Sequence, residues 1–127
     1  MGCDFVRVDI NEHLGNEAEV YGGTFKGHEG DPYKFDCPRL DPERDAHYFV
    51  YGFGMHSMQY FRLNGKDGWW IEPSVSPNSV KSQLRPGIIW KGNLKEKGNT
   101  LQVYSNPIAL QDDFRIYYIL IVYPTKV

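Results

Sequence analysis

The clearest hydrophobic pattern lies in the last third of the chain. Between Gly98 and Ser105, Leu101, Val103 and Ser105 alternate with Thr100, Gln102 and Tyr104. That is the period-two signature of a strand with one buried face. The following segment, Asp112 to Tyr123, becomes apolar on both faces from Ile116 onward. Such a run predicts a strand covered on both sides along part of its length. The two segments therefore read as adjoining strands of a sandwich.

The same reading extends toward the N-terminus. From Asp4 to Ile10, Val6, Val8 and Ile10 alternate with Phe5, Arg7 and Asp9, which predicts a strand. Asn11 to Glu19 is polar, contains Gly15 and Asn16, and reads as a connection. Val20 to Phe25 predicts a short strand bent at Gly22 and Gly23. From Lys26 to Asp45 the spacing of Gly27, Gly30, Pro32, Pro38 and Pro42 suits neither helix nor long strand, so a loop is expected. Loops of that length in compact domains are more often functional than average. Ala46 to Phe53 and Met58 to Leu63 predict strands joined through Gly52 to His56.

Asn64-Gly65 is a strong hairpin signal, because a type I′ turn needs positive φ at both central residues. Lys66-Asp67-Gly68 adds a second turn signal, so the hairpin should be offset by a bulge. Trp69-Trp70-Ile71 then predicts a short strand ended by Pro73. Ser74 to Gly87 is expected as a loop, Ile88 to Asn93 as a strand carrying Trp90, and Lys95 to Asn99 as a turn. Seven to nine strands without an amphipathic helix or internal repeat predict an all-β, antiparallel β-sandwich or barrel.

Composition narrows the function classes. A chain of 127 residues fits a single domain over 1–127, large enough to bury roughly two-thirds of its unfolded surface. A net charge of −2 and a pI near 6.0 argue against nucleic acid, whose phosphates need a basic face. The cluster Lys91, Lys95 and Lys97 is interrupted by Glu96 and reads as a solvated turn. Membrane partnership is not expected, since no apolar run approaches a span. Alternation begins by Phe5 rather than an apolar leader, and Val6 stands where a myristoylation pattern wants Ser or Thr. Cys3 and Cys37 are too few for a disulfide framework, so reduced thiols in a cytoplasmic setting are expected. A single bridge between them is the alternative.

Three segments carry a resemblance. Tyr60-Phe61-Arg62-Leu63-Asn64-Gly65-Lys66 is followed by Leu94-Lys95-Glu96-Lys97-Gly98-Asn99-Thr100-Leu101-Gln102-Val103, then by Asp113-Phe114-Arg115-Ile116-Tyr117-Tyr118-Ile119. This order resembles the galactose-binding-domain-like jelly-roll sandwiches over roughly residues 58–123, and residues 1–45 carry none of it. The shared positions are mostly turn and core residues, so they speak to fold. The resemblance implies a module that binds sugars at loops on one end, often beside a structural calcium, or one that mediates contacts between proteins.

The candidate chemistry is aromatic. Three Trp, nine Tyr and seven Phe make 15% of the chain, and Trp69 and Trp70 are adjacent. Neighbours on a strand point to opposite faces, so one Trp should face the core and the other solvent or a groove. An exposed indole can stack on the apolar face of a pyranose while nearby Asn64, Asp67 and Glu72 bind hydroxyls. The plainer reading places both indoles in the core. Tyr48, Tyr51, Tyr60, Tyr104, Tyr117, Tyr118 and Tyr123 suggest in addition an aromatic sheet face through which copies of the chain would associate.

Metal and catalytic readings are weaker. Glu29, Asp31, Asp36, Asp41, Glu43 and Asp45, with Asp112-Asp113, offer oxygen ligands for a structural calcium but lack a D-x-D-x-D-G register. His13, His28, His47 and His56 form no zinc-ligand spacing. Nothing around Cys37 suggests an activated nucleophile. No cofactor is expected. The residues point to a non-catalytic, carbohydrate-binding module, with Trp69, Trp70, Asn64, Asp67 and Glu72 as the ligand-binding set. The alternative is a structural or protein–protein interaction domain self-associating through an aromatic sheet face. A small enzyme is the third reading.

Overall fold

The computed structural model describes residues 2–15, 32–53, 59–71, 80–82, 86–104 and 113–126. They form nine strands and no helix: β1 Gly2–Gly15, β2 Tyr33–Phe35, β3 Ala46–Phe53, β4 Gln59–Leu63, β5 Lys66–Ile71, β6 Val80–Ser82, β7 Gly87–Ile89, β8 Asn99–Tyr104 and β9 Asp113–Thr125. A five-stranded sheet has the order β1-β9-β3-β6, with β7 also paired to β3, and a four-stranded sheet has the order β2-β8-β4-β5. Each of these pairings is antiparallel. The expected β-sandwich is the fold. Strands β8 and β9, successive in sequence, lie in opposite sheets.

Alternation places the core between the sheets. Val8 and Ile10 of β1, Ile119, Ile121 and Tyr123 of β9, and Tyr48 and Val50 of β3 meet Phe61, Leu63, Trp69, Ile71, Leu101 and Val103 of the other sheet. The Tyr48 ring crosses the interface to stand edge-on to Phe61, centroids 4.8 Å apart. Its hydroxyl reaches β5, the edge strand of the four-stranded sheet, and donates to the Trp70 carbonyl at 2.7 Å. Gly87 makes room for this ring, since a Cβ there would lie 2.0 Å from Tyr48 Cζ.

Four segments depart from the expectations, each for a local reason. β1 continues to Gly15 because Asn11, at φ 50°, takes up a register shift between Asp9 and Glu12; Asn tolerates that left-handed conformation better than most residues. Within the loop expected over Lys26 to Asp45, Tyr33–Phe35 pairs with β8, and the Tyr33 hydroxyl donates to the Ile10 carbonyl and the Glu12 carboxylate. Val80–Ser82 adds a strand inside the second loop by pairing with Tyr51–Phe53. The strand expected over Ile88 to Asn93 ends at Ile89, and Trp90 opens a turn in which Gly92 adopts φ 87°. The strand expected at Val20 to Phe25 lies outside the described residues.

The β4–β5 hairpin orients the candidate ligand-binding residues. Asn64 and Gly65 sit at φ 51° and 81°, the positive-φ pair that a type I′ turn requires. Leu63 then opposes Lys66 and Arg62 opposes Asp67, but Phe61 opposes Trp69 and Tyr60 opposes Trp70. Gly68, at φ 140°, is therefore the extra residue of the anticipated bulge.

Candidate functional site

The bulge decides which indole faces out. Trp69 is 5% exposed and stacks near Phe61 at a centroid distance of 6.2 Å, inside the core. Trp70 is 50% exposed and lies on the outer face of the four-stranded sheet. Tyr60, directly opposite on β4, meets it edge-on at 5.2 Å. The backbone of Tyr104 on β8 extends the same row. A row across three strands spans roughly 10 Å at the usual strand spacing, a length suited to two linked pyranose rings.

The next outward row supplies polar groups. Arg62 Nε donates to Asp67 Oδ1 at 2.8 Å, and Arg62 Nη1 donates to Gln102 Oε1 at 3.2 Å. The chain Asp67–Arg62–Gln102 thus crosses β5, β4 and β8 beside the aromatic row. A carboxylate, a guanidinium and an amide in one fixed line offer both donors and acceptors to sugar hydroxyls. Their mutual hydrogen bonds hold them in place before a ligand arrives, which lowers the ordering cost of binding.

The five residues expected to bind ligand separate. Trp70 and Asp67 share the outer face. Trp69 lies on the opposite side of the same strand. Asn64 is committed to the hairpin tip: its Nδ2 donates to the Asn93 carbonyl at 2.9 Å and Asn99 Oδ1 at 3.1 Å, while its Oδ1 accepts from Thr100 N–H at 2.8 Å. Glu72 lies outside the described residues. Arg62 and Gln102 were not singled out beforehand; their outward parity opposite Tyr60 and Trp70 was the available signal, readable once β4 and β8 are paired.

The tyrosines divide too. Tyr48 and Tyr123 are core residues, Tyr60 belongs to the Trp70 face, and Tyr51, Tyr117 and Tyr118 cluster on the outer face of the five-stranded sheet. The cysteines are both free thiols, Cys3 exposed and Cys37 buried. Burial, reinforced by the nearby Asp36 charge, pushes the Cys37 thiol up to about 12. Among the described residues no group of three or more His, Cys, Asp or Glu side chains is placed to hold a metal ion.

No protein-family description and no curated protein matches the chain in sequence. Solved structures do match its shape. One is the CBM36-1 domain, a carbohydrate-binding module (CBM), of a multidomain xylanase from the hindgut metagenome of Trinervitermes trinervoides, with TM-score 0.54 and 13% identity over 98% of this chain and 100% of that one. Another is the GH26-CBM35 β-(1,4)-mannanase of Podospora anserina, with TM-score 0.52 and 14% identity over 99% of this chain. The shared property is the fold. The chain spans only 28% of the mannanase. The likeness supports the β-sandwich fold.

Proposed function

We propose that this chain is a non-catalytic carbohydrate-binding module whose ligand lies on the outer face of the four-stranded sheet. Trp70 is the stacking platform, Tyr60 extends it, and Asp67, Arg62 and Gln102 bind hydroxyls. The carrying observation is an indole left 50% exposed beside a pre-formed polar line. Modules named for carbohydrate binding, attached to a xylanase and a mannanase, share the fold and support the ligand class. The test is retention on insoluble xylan, mannan and cellulose, with tryptophan fluorescence titrated by their soluble oligosaccharides. Absence of retention and of any fluorescence change across all three would sink the reading.

A second reading attaches to the other sheet. Its outer face exposes Phe5 at 63%, along with Ile88 and Tyr51, and carries an open recess lined by Cys3, Asp4, Phe5, Leu120 and Val122. On this face Arg7 and Asp9 pair with each other within the chain. Self-association through this face is the corresponding proposal. Sedimentation velocity tests it: a monomer at every concentration would remove it.

A further inference from the structure

Trp90 follows the last residue of β7 and belongs to no strand. It is 60% exposed at the start of the turn after β7. Glu43, Arg44, Asp45 and Lys91 line an open recess beside it. Resting on the carbohydrate-binding reading, we propose that this recess is a second sugar-binding site, separate from the Trp70 face, that takes a neutral pyranose ring.

The loop that presents Trp90 is fixed at each step. Ile89 before it and Leu94 after it are buried in the core. Asp45 Oδ1 accepts the Lys91 N–H at 2.7 Å, and Asn93 Nδ2 donates to the Trp90 carbonyl at 2.9 Å. Asn64, from the β4–β5 hairpin, donates to the Asn93 carbonyl. The backbone under the indole is thereby locked from three sides, so a ligand stacking there orders little that is not already ordered.

The charges around the indole select the ligand class. Two carboxylates and two cations cancel, so neither an anion nor a cation is favoured by the recess as a whole. Each carboxylate can accept from a hydroxyl, and Arg44 and Lys91 can donate to one. A ring with an apolar face and a hydroxyl rim satisfies both the indole and its charged surround. A protein partner would more naturally want a rim that excludes water around its anchoring Trp, whereas four charged side chains keep water here.

The functional consequence is bivalency. Trp70 lies on the outer face of the four-stranded sheet and Trp90 at a turn after a strand of the other sheet. A polysaccharide long enough to touch both would gain avidity that a short oligosaccharide lacks.

The experiment follows the three indole N–H signals of the ¹⁵N-labelled protein, assigned with Trp70→Phe and Trp90→Phe. Xylohexaose and mannohexaose are the probes. The expected result is a saturable shift of the Trp90 signal that persists in Trp70→Phe, with the Trp69 signal unmoved. Trp90→Ala should in addition weaken retention on insoluble xylan or mannan by about tenfold. A Trp70 shift with no Trp90 shift overturns the second site and leaves the sheet-face reading intact. Movement of neither signal overturns both. A Trp90 signal that instead moves with protein concentration, matched by a dimer in sedimentation, assigns the recess to a second copy and overturns the sugar site.

Discussion

Replacing the two adjacent tryptophans by alanine, one at a time, separates ligand contact from folding. Trp70 is 50% exposed, and a Trp side chain has roughly 200 Å² to bury, so about 100 Å² is left for a ligand. Full coverage at about 25 cal/mol per Å² would contribute about 2.5 kcal/mol, and coverage of one ring face about half that. Trp70→Ala should therefore weaken oligosaccharide binding by roughly 10- to 70-fold. Its cost to folding includes the edge contact with Tyr60, about 0.5–1.5 kcal/mol. Trp69→Ala opens the core beside Phe61 and should cost about 3–5 kcal/mol. At roughly 3–5 °C per kcal/mol for a domain of this size, that lowers Tm by about 9–25 °C. Calorimetric titration and differential scanning calorimetry on the same preparations give both numbers. Undiminished binding by a folded Trp70→Ala would refute the platform assignment, and a Trp69→Ala variant with unchanged Tm would refute the assignment of faces.

Asn99 is fully buried and bonds Lys95 N–H, the Lys95 carbonyl and Asn64 Nδ2. Asn99→Ala orphans these groups and should cost about 2–4 kcal/mol in urea unfolding. Gly87→Ala drives a Cβ into the Tyr48 ring, should cost about 1–3 kcal/mol, and should loosen sugar binding through the lost Tyr48–Trp70 bond. Deleting Gly68 removes the bulge while leaving Tyr60 opposite Trp70, so oligosaccharide affinity should stay within about threefold on the altered hairpin. A thiol reagent should label Cys3 in the native state and Cys37 only on unfolding. Because folding raises the Cys37 pKa from 9.0 to about 12, its stabilising contribution is complete below about pH 9 and fades as pH climbs toward 12. The fall in urea midpoint over that window should shrink in Cys37→Ala.

Strands with one buried face were legible because burial imposes a period of two on the sequence. Val8 and Ile10 against Arg7 and Asp9, or Leu101 and Val103 against Thr100 and Gln102, needed no structure to assign. Segments whose pairing depends on distant partners were not legible. Tyr33–Phe35 is three residues long between Pro32 and Pro38 and exists as a strand because β8 lies beside it. Trp90 read as a strand residue because Ile88 and Ile89 precede it, and the left-handed Gly92 that ends the strand leaves no mark on apolar periodicity. Asn64 read as a ligand group because amides suit hydroxyls. Its actual partners, Asn93, Asn99 and Thr100, lie about thirty residues away in sequence.

The Trp pair shows how far a single residue reaches. Starting from the Asn64-Gly65 turn, an uninterrupted hairpin would set Gly68 against Phe61 and Trp69 against Tyr60. Trp69 would then face outward and Trp70 inward, because a slip of one residue exchanges the faces of a strand. The observed register sets Trp69 against Phe61 and Trp70 against Tyr60, and the difference is the bulge at Gly68. Asp67, between the turn and the bulge, opposes Arg62 in either register and stays within its reach. Alternation could therefore state that one indole is exposed, but not which one. The choice rests on a glycine at φ 140°, a conformation that side chains with a Cβ rarely adopt. Platform and polar line thus come to share one face through a residue that contributes no contact to either.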